Sequence, residues 1–448
     1  MKTALFIMLP VPSHYNACFG LANNLREQGY RVVFTGTPDL REHVELQGFG
    51  FAVLWCLEEY VIHNWRVGLG LFLKNAIDSR FKQLRYREFL TAVAAVRQLC
   101  QKVEPNEVFI DQHLNHYYFL LQAKYSKITL INTKLPTRQA VGIPPLTCSV
   151  PFKQNSAYRL FAKILWLNYL AQRSAANSLK KVVFWGTDDQ SLLAHYTKKH
   201  SVDIDQYRRL DNVMYESLKG VPIIHVRPRF LEYDWYESDS YEQFCYFPYQ
   251  RQAAQLLEST EIWSVLQEVR KVESEKKQKQ RLLYASLGTL SGLHEADGLQ
   301  FFHRLIEAVE GLPNTWLIVS AGELYRKLIG RQTPKVTLMK RVPQTELLPH
   351  CNLMVTHAGM NSICECLTAG VPVLTYPLNM RSDQPGNAAR VVAKGWGLQG
   401  SLRYDTPRSM KRKIMQLLAD PVFQRSVGQT NMKPINDWHW TMDLAESR

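Results

Sequence analysis

Short apolar runs recur along the chain, separated by amphipathic stretches and by loops rich in Gly, Pro and small polar residues. Residues 4–9, ALFIML, show no alternation, which suits a parallel strand buried on both faces. PVPSHYNAC (10–18) then reads as a loop, FGLANNLREQG as an amphipathic helix closed by Gly29, and YRVVFTGT as the next strand. This is a βαβ opening. Further strands are predicted at 48–55, 107–111, 128–133, 182–187 and 222–227, with helical stretches such as RYREFLTAVAAVRQLCQKV between them. From Glu258 the chain turns highly charged, ESTEIWSVLQEVRKVESEKKQKQR, which predicts a solvated helix and a connection between domains. The strand pattern then restarts at 281–289, 315–322, 335–340, 353–359 and 371–377, with FFHRLIEAVEGLP as a helix. The fold class is therefore α/β, with two doubly wound Rossmann-like domains facing across a cleft and ligands held beyond the carboxyl ends of strands. The expected division is 1–257, 258–425 and a helical tail 426–448, whose Trp438 and Trp440 predict packing back onto the N-terminal domain.

Charge narrows the partners. Lys and Arg number 54 against 40 Asp and Glu, a net +14, so an anionic partner is favoured: nucleic acid, acidic lipid or a phosphorylated ligand. No recognised nucleic-acid module accompanies that charge, so no nucleic-acid partner is expected. The eight Cys are scattered without a C-x-x-C pair, as expected of buried thiols in a reducing cytoplasm. Cys364 and Cys366 stand near His357, but two cysteines one residue apart point to different sides of an element, which argues against a metal cluster. Asp203-Ile204-Asp205 reads as solvated surface, so no metal site is expected. The first apolar run is short and broken by Pro10, which fits a strand rather than a signal peptide. No uncharged apolar run reaches about 18 residues, the length a membrane-spanning helix needs.

The segment 353–397 carries the chemistry. A strand ends at Thr356, and His357-Ala358-Gly359 forms a small-residue loop. Asn361 and Ser362 then open a helix, where unpaired N–H groups and the positive dipole end suit a phosphate. Gly359 lets the backbone approach an anion, and His357 and Ser362 can donate to it. Glu365, one turn on, suits ribose hydroxyls, and the acid–amide pair Asp383 and Gln384 suits the hydroxyls of a sugar.

In this order the residues resemble the donor-binding signature of family-one, UDP-dependent glycosyltransferases of the GT-B fold, most of all the bacterial, macrolide-transferase-like branch. The resemblance runs from Val342-Pro343-Gln344 and Leu347-Leu348 through His357–Ser362, Glu365 and Gly370-Val371-Pro372 to Asp383-Gln384 and Asn387-Ala388-Ala389. It implies that His357 and the Asn361–Ser362 helix start hold the diphosphate, Glu365 the ribose, and Asp383 with Gln384 the sugar, with Arg341, Val342 and Gln344 also among the donor-binding residues. Ser286-Leu287-Gly288-Thr289 matches the family's second phosphate-side loop. Two departures stand out. Arg341 replaces the tryptophan that stacks on uracil, and two additional residues precede Asp383. His14, just after the first strand, matches the catalytic histidine, and Asp111, ending the strand EVFID, is its implied partner. An imidazole titrating near 6.5 can take a proton at neutral pH, and a carboxylate on its other nitrogen fixes the tautomer.

The resemblance implies an inverting, metal-independent transfer from a UDP-sugar, a hexose such as glucose, to a hydroxyl of an apolar or lipid-like small molecule. No cofactor beyond the donor is implied. A non-catalytic homologue activating another enzyme would be expected to lose His14 or the donor loop, and both are kept. A nucleotide-sugar epimerase is a further alternative, whereas a Rossmann oxidoreductase lacks its G-x-G-x-x-G in the first loop. Residues 62–89 and 152–187 interleave aromatic and aliphatic residues with Lys and Arg. They suit helices lying on the cytoplasmic face of a membrane or framing an apolar acceptor, and equally ordinary helices covering a sheet.

Overall fold

A computed structural model describes residues 1–55, 80–207, 216–248, 259–288, 295–430 and 432. The N-terminal sheet contains β1 (Thr3–Ile7), β2 (Arg31–Gly36), β3 (Gly50–Val53), β4 (Glu107–Asp111), β5 (Ile128–Asn132), β6 (Ile223–His225) and β7 (Glu242–Phe244). Its strand order is β3-β2-β1-β4-β5-β6-β7, and every pairing is parallel. The C-terminal sheet contains β8 (Arg281–Ser286), β9 (Thr315–Ser320), β10 (Val336–Met339), β11 (Leu353–Thr356), β12 (Val373–Thr375) and β13 (Gly397–Gln399). It runs β10-β9-β8-β11-β12-β13, again wholly parallel. Parallel neighbours need crossover connections, and helices on both faces explain why β1, β4 and β5 are buried at every position.

Most strands fall where the apolar runs place them. Residues 182–187 do not. Val182 and Val183 end the helix Ser156–Val183, whose Asn155 cap accepts from the Tyr158 N–H. Trp185 and Gly186, both at positive φ, then turn the chain. An apolar run of this length suits a helix end as well as a strand. The edge strands β7 and β13, three residues each, are too short to leave a periodic signal. The first helix, Pro12–Glu27, starts earlier than expected, with Pro in its first turn, so His14 sits on a helix and not in a loop. The expected boundary at 257–258, most of 62–89 and residues 433–448 of the tail lie outside the described residues.

The two sheets meet along a seam. The Glu232 carboxylate, after β6, accepts from Arg390 Nε at 2.6 Å and Nη2 at 2.8 Å, and both residues are fully buried. Arg390 Nη1 donates to the Gly386 carbonyl on its own helix, Gln384–Ala393, at 3.0 Å. The Gly386 N–H in turn reaches the Leu146 carbonyl across the seam at 2.7 Å. A Cβ at Gly386 would lie 2.5 Å from that oxygen, so only glycine allows the contact. Leu135, Leu231 and Tyr246 join the core of the C-terminal domain.

Arg390→Met leaves the Glu232 carboxylate buried without its cation. The expected cost is about 3–5 kcal/mol, with most of it recovered when Glu232→Leu is added. Denaturant unfolding followed by tryptophan fluorescence measures both variants.

Two buried histidines make stability depend on pH. Burial pushes His116, at the start of the helix His116–Leu121, down to about 3, and neither ring nitrogen has a partner. Burial likewise pushes His357, just after β11, down to about 4 against an opposing pull from Asp383. Unfolded histidines take up a proton near 6.5, so from there down to the folded values the unfolded chain binds more protons and stability falls as pH falls. Asp189 opposes this. Burial and then Asp188 raise it from 3.8 to about 7, so its contribution grows as pH falls through that window. His116→Phe removes one histidine's share, so it should melt above the wild type at about pH 5, with the gap narrowing toward about pH 7.5. Melting curves across that range check it.

Candidate active site

In each sheet the strand order reverses at one point, between β1 and β4 and between β8 and β11. Loops leaving the carboxyl ends at such points diverge and open a crevice. His14 follows β1 and Asp111 ends β4, while Ser286 ends β8 and His357 follows β11. The two crevices face each other.

His14 and Asp111 come together as expected. His14 Nδ1 lies 2.6 Å from Asp111 Oδ2, and both residues are buried. Thr133 Oγ1 lies 3.2 Å from the same nitrogen. The second carboxylate oxygen, Oδ1, accepts from the His113 backbone N–H at 2.9 Å and lies 3.0 Å from His113 Nδ1. Burial pushes Asp111 up, but the charges and hydrogen bonds of His14 and His113 outweigh it and hold the carboxyl well below its ordinary range. Asp111 is therefore ionised. It keeps a proton on His14 Nδ1 and leaves Nε2 as an acceptor. His14, Asp111 and His113 also form the one group among the described residues whose ligand atoms, all within 4.8 Å, could hold a metal ion. Asp203 and Asp205 are exposed, and every described cysteine is free and buried.

On the donor side, the helix Met360–Ala369 follows Gly359 with no side-chain cap, which leaves first-turn N–H groups for an anion. The His357 ring is clamped between two loops. A Cβ on Gly288 or on Gly359 would lie 2.5 Å from a ring atom. Gly288, at φ +76°, also donates its N–H to Ser286 Oγ at 3.2 Å. His357 is neutral at physiological pH because of its burial, so it offers an anion a hydrogen bond and no charge. Thr289 lies outside the described residues.

Gln344 Nε2 donates to Glu365 Oε2 at 2.6 Å and lies 3.3 Å from Ser362 Oγ, so three of the expected residues converge. Arg341 is exposed just after β10, as a stacking position requires, whereas the Val342 side chain packs into the core. Val342 can contact a donor only through its backbone. Asp383 Oδ2 accepts from Asn387 Nδ2 at 2.8 Å, and the same amide donates to the Ala358 carbonyl at 3.0 Å. Asn387 thereby ties the sugar-side carboxylate to the phosphate loop. Lys134 Nζ comes from the N-terminal domain to 3.4 Å from Asp383 Oδ1. Burial raises Asp383, but Lys134 and Asn387 outweigh it and hold the carboxyl below its ordinary value. Gln384 departs from its implied role. Its Oε1 accepts from the Leu378 and Asn379 N–H groups at 2.8 and 2.9 Å, so the carbonyl secures the lengthened loop and only the NH₂ remains for a sugar.

Asn361 also departs. Its Nδ2 donates to the Ser13 carbonyl at 2.9 Å and its Oδ1 accepts from Arg227 Nη2. The side chain links the domains, and the backbone of that turn is what faces an anion. Sequence reasoning did not find Lys134, Thr133 or Arg227. Each follows the carboxyl end of β5 or β6, and that placement was the available signal. Beside Lys134 lies a cavity of about 720 Å³, lined by His113, Lys134, Leu146, Trp166, Tyr169 and Asp383 among others.

Residues 282–432 match the family described as UDP-glucoronosyl and UDP-glucosyl transferase. A zeaxanthin glucosyltransferase of Pantoea ananas is 30% identical over 149 residues, 33% of this chain and 33% of the relative. UDP-glucuronosyltransferase 3A1 of Homo sapiens is 36% identical over 94 residues, 20% of this chain and 18% of that protein. The matched stretches thus span a third or less of these relatives. Over the whole chain the likeness is structural. The glycotransferase of kitacinnamycin superposes with a TM-score of 0.62 at 19% identity, covering 95% of this chain and 93% of that one. The spinosyn rhamnosyltransferase SpnG complexed with thymidine diphosphate gives 0.58 at 15%, covering 95% and 94%. The described residues have the GT-B fold, and residues 282–432 are similar to the UDP-glucoronosyl and UDP-glucosyl transferase family.

Proposed function

We propose that the protein transfers the sugar of a UDP-sugar, a hexose, to a hydroxyl of an apolar small molecule, with inversion and without a metal. The buried His14–Asp111 pair, facing the uncapped Met360–Ala369 helix across the cleft, carries this reading. The cavity beside His113 fits the acceptor, since Leu146, Trp166, Tyr169 and Val183 give it apolar walls. The relative named for zeaxanthin and the solved natural-product glycosyltransferases support an acceptor of that character.

The step balances as follows. The acceptor oxygen attacks the anomeric carbon from the face opposite the diphosphate while its proton passes to His14 Nε2. The bond from that carbon to the diphosphate oxygen breaks, and its electron pair leaves with UDP. Asp111 stabilises the imidazolium that forms, and the helix start with the His357 N–H stabilises the departing diphosphate.

His14→Ala should lower transfer by about 10²–10⁴ while leaving UDP affinity within about threefold, because base and donor site lie in different domains. Product formation from a panel of UDP- and TDP-sugars, run with and without a chelator, is the assay. Unchanged turnover in the variant, or loss of wild-type activity on chelation, would sink the mechanism.

At the sugar end, Asp383→Asn should cut catalytic efficiency by about ten- to a hundredfold with UDP affinity unchanged. Gln384→Glu keeps the oxygen that secures the loop but loses the NH₂. It should fold normally and show a comparable loss, whereas Gln384→Ala should also weaken UDP-sugar binding through a disordered loop. Titration with UDP and with UDP-sugar, beside turnover, separates the three variants.

A further inference from the structure

The helix Ser156–Val183 presents two sides with different surroundings. Trp166, Tyr169, Arg173 and Asn177 wall the cavity beside His113. On the other side Leu160, Ile164, Leu167 and Val182 are 62%, 53%, 69% and 63% exposed. Positions 160, 164, 167, 171, 175, 178 and 182 advance by three or four residues and so line one side of the helix. Ala171, Ala175 and Ser178 keep the middle of that side small and uncharged. A continuous apolar stripe left in water marks a surface that meets a partner.

Charge selects the partner. Arg159, Lys163 and Lys181 accompany the stripe, and no Asp or Glu occurs anywhere between Asp111 and Asp188. A solvated helix on a protein surface ordinarily mixes both signs. A second copy of this chain would bring the same cations against themselves, which opposes self-pairing. Apolar side chains flanked by cations alone match the acyl boundary and headgroups of an anionic bilayer. No helix among the described residues is long and apolar enough to cross a membrane, so this one would lie on the surface.

We propose that the Ser156–Val183 helix docks the protein on an anionic lipid bilayer, with the Leu160–Ile164–Leu167 stripe in the interface. Its opposite side then brings the acceptor cavity beside the bilayer, and an apolar acceptor enters from the lipid. That last clause rests on the glycosyl-transfer reading above, whereas the docking does not.

The test is sedimentation of the full chain with vesicles of phosphatidylcholine alone and with added phosphatidylglycerol. Binding is expected only with phosphatidylglycerol and should weaken with salt. Ile164→Glu with Leu167→Glu should lower the partition by at least about tenfold, and Lys163→Gln with Lys181→Gln should lower it by a smaller factor. These four side chains do not line the cavity, so turnover of a water-soluble acceptor should stay at the wild-type level. Absent binding, equal binding to both vesicles or undiminished binding by the glutamate variant overturns the proposal. So does a dimer in analytical ultracentrifugation that the same glutamates dissociate. Wild-type chain that transfers the sugar without binding vesicles refutes the membrane surface alone, and wild-type chain that binds vesicles without transferring the sugar refutes the catalytic reading alone.

Discussion

Glu232 and Arg390 lie fully buried between the two sheets, where taking each ion out of water costs several kcal/mol. That cost is offset only if every charged atom finds a partner. Glu232 Oε1 meets Arg390 Nε and the Tyr233 N–H, Oε2 meets Nη2, and Nη1 meets the Gly386 carbonyl. The pair therefore tolerates one relative position of the domains. Arg390 lies about two helical turns beyond Asp383 on a rigid element. Fixing the guanidinium fixes the sugar-side carboxylate, and Lys134 can then reach it from the other domain at 3.4 Å.

The same constraint governs the distance between base and leaving group. Asn361 holds the Ser13 carbonyl next to His14 with one end of its amide and Arg227 with the other. The first turn of the Met360–Ala369 helix is thus bonded to the turn that carries His14. Charge is divided to match. Asp111 is ionised behind His14, while burial keeps His357 neutral between the loops at Gly288 and Gly359.

How legible this was depended on whether the signal was local. The buried parallel strands announced themselves as unbroken apolar runs, and Glu107–Asp111 falls on the predicted segment residue for residue. The donor residues could be read because one stretch carries the loop, helix start and acid that a nucleotide needs. Residues 182–187 misled because a helix end and a short strand share an apolar composition. Gln384 and Asn361 were placed at the site with only part of their role, since a side chain's second partner is a tertiary fact. Lys134 and Arg227 follow the ends of β5 and β6 in the other domain, so only that placement, and no local motif, marked them.

The loop before Asp383 is a self-contained turn. Asn379 organises it internally. Its carbonyl accepts the Ser382 N–H and hydroxyl at 3.2 and 2.8 Å, and its side-chain oxygen accepts the Arg381 N–H at 2.9 Å. Gln384 closes the base of the turn through the Leu378 and Asn379 N–H groups. The additional residues are absorbed in a self-contained turn, and Asp383 keeps its bonds to Asn387 and Lys134. What the turn changes is the wall. Arg381 and Ser382 line the acceptor cavity beside Asp383. Glu216 there is paired with Arg173, and Asp383 with Lys134, so Arg381 adds positive charge where the nearby acids already have partners. The turn thus leaves the bonds of Asp383 in place and sets Arg381 at the wall of that cavity.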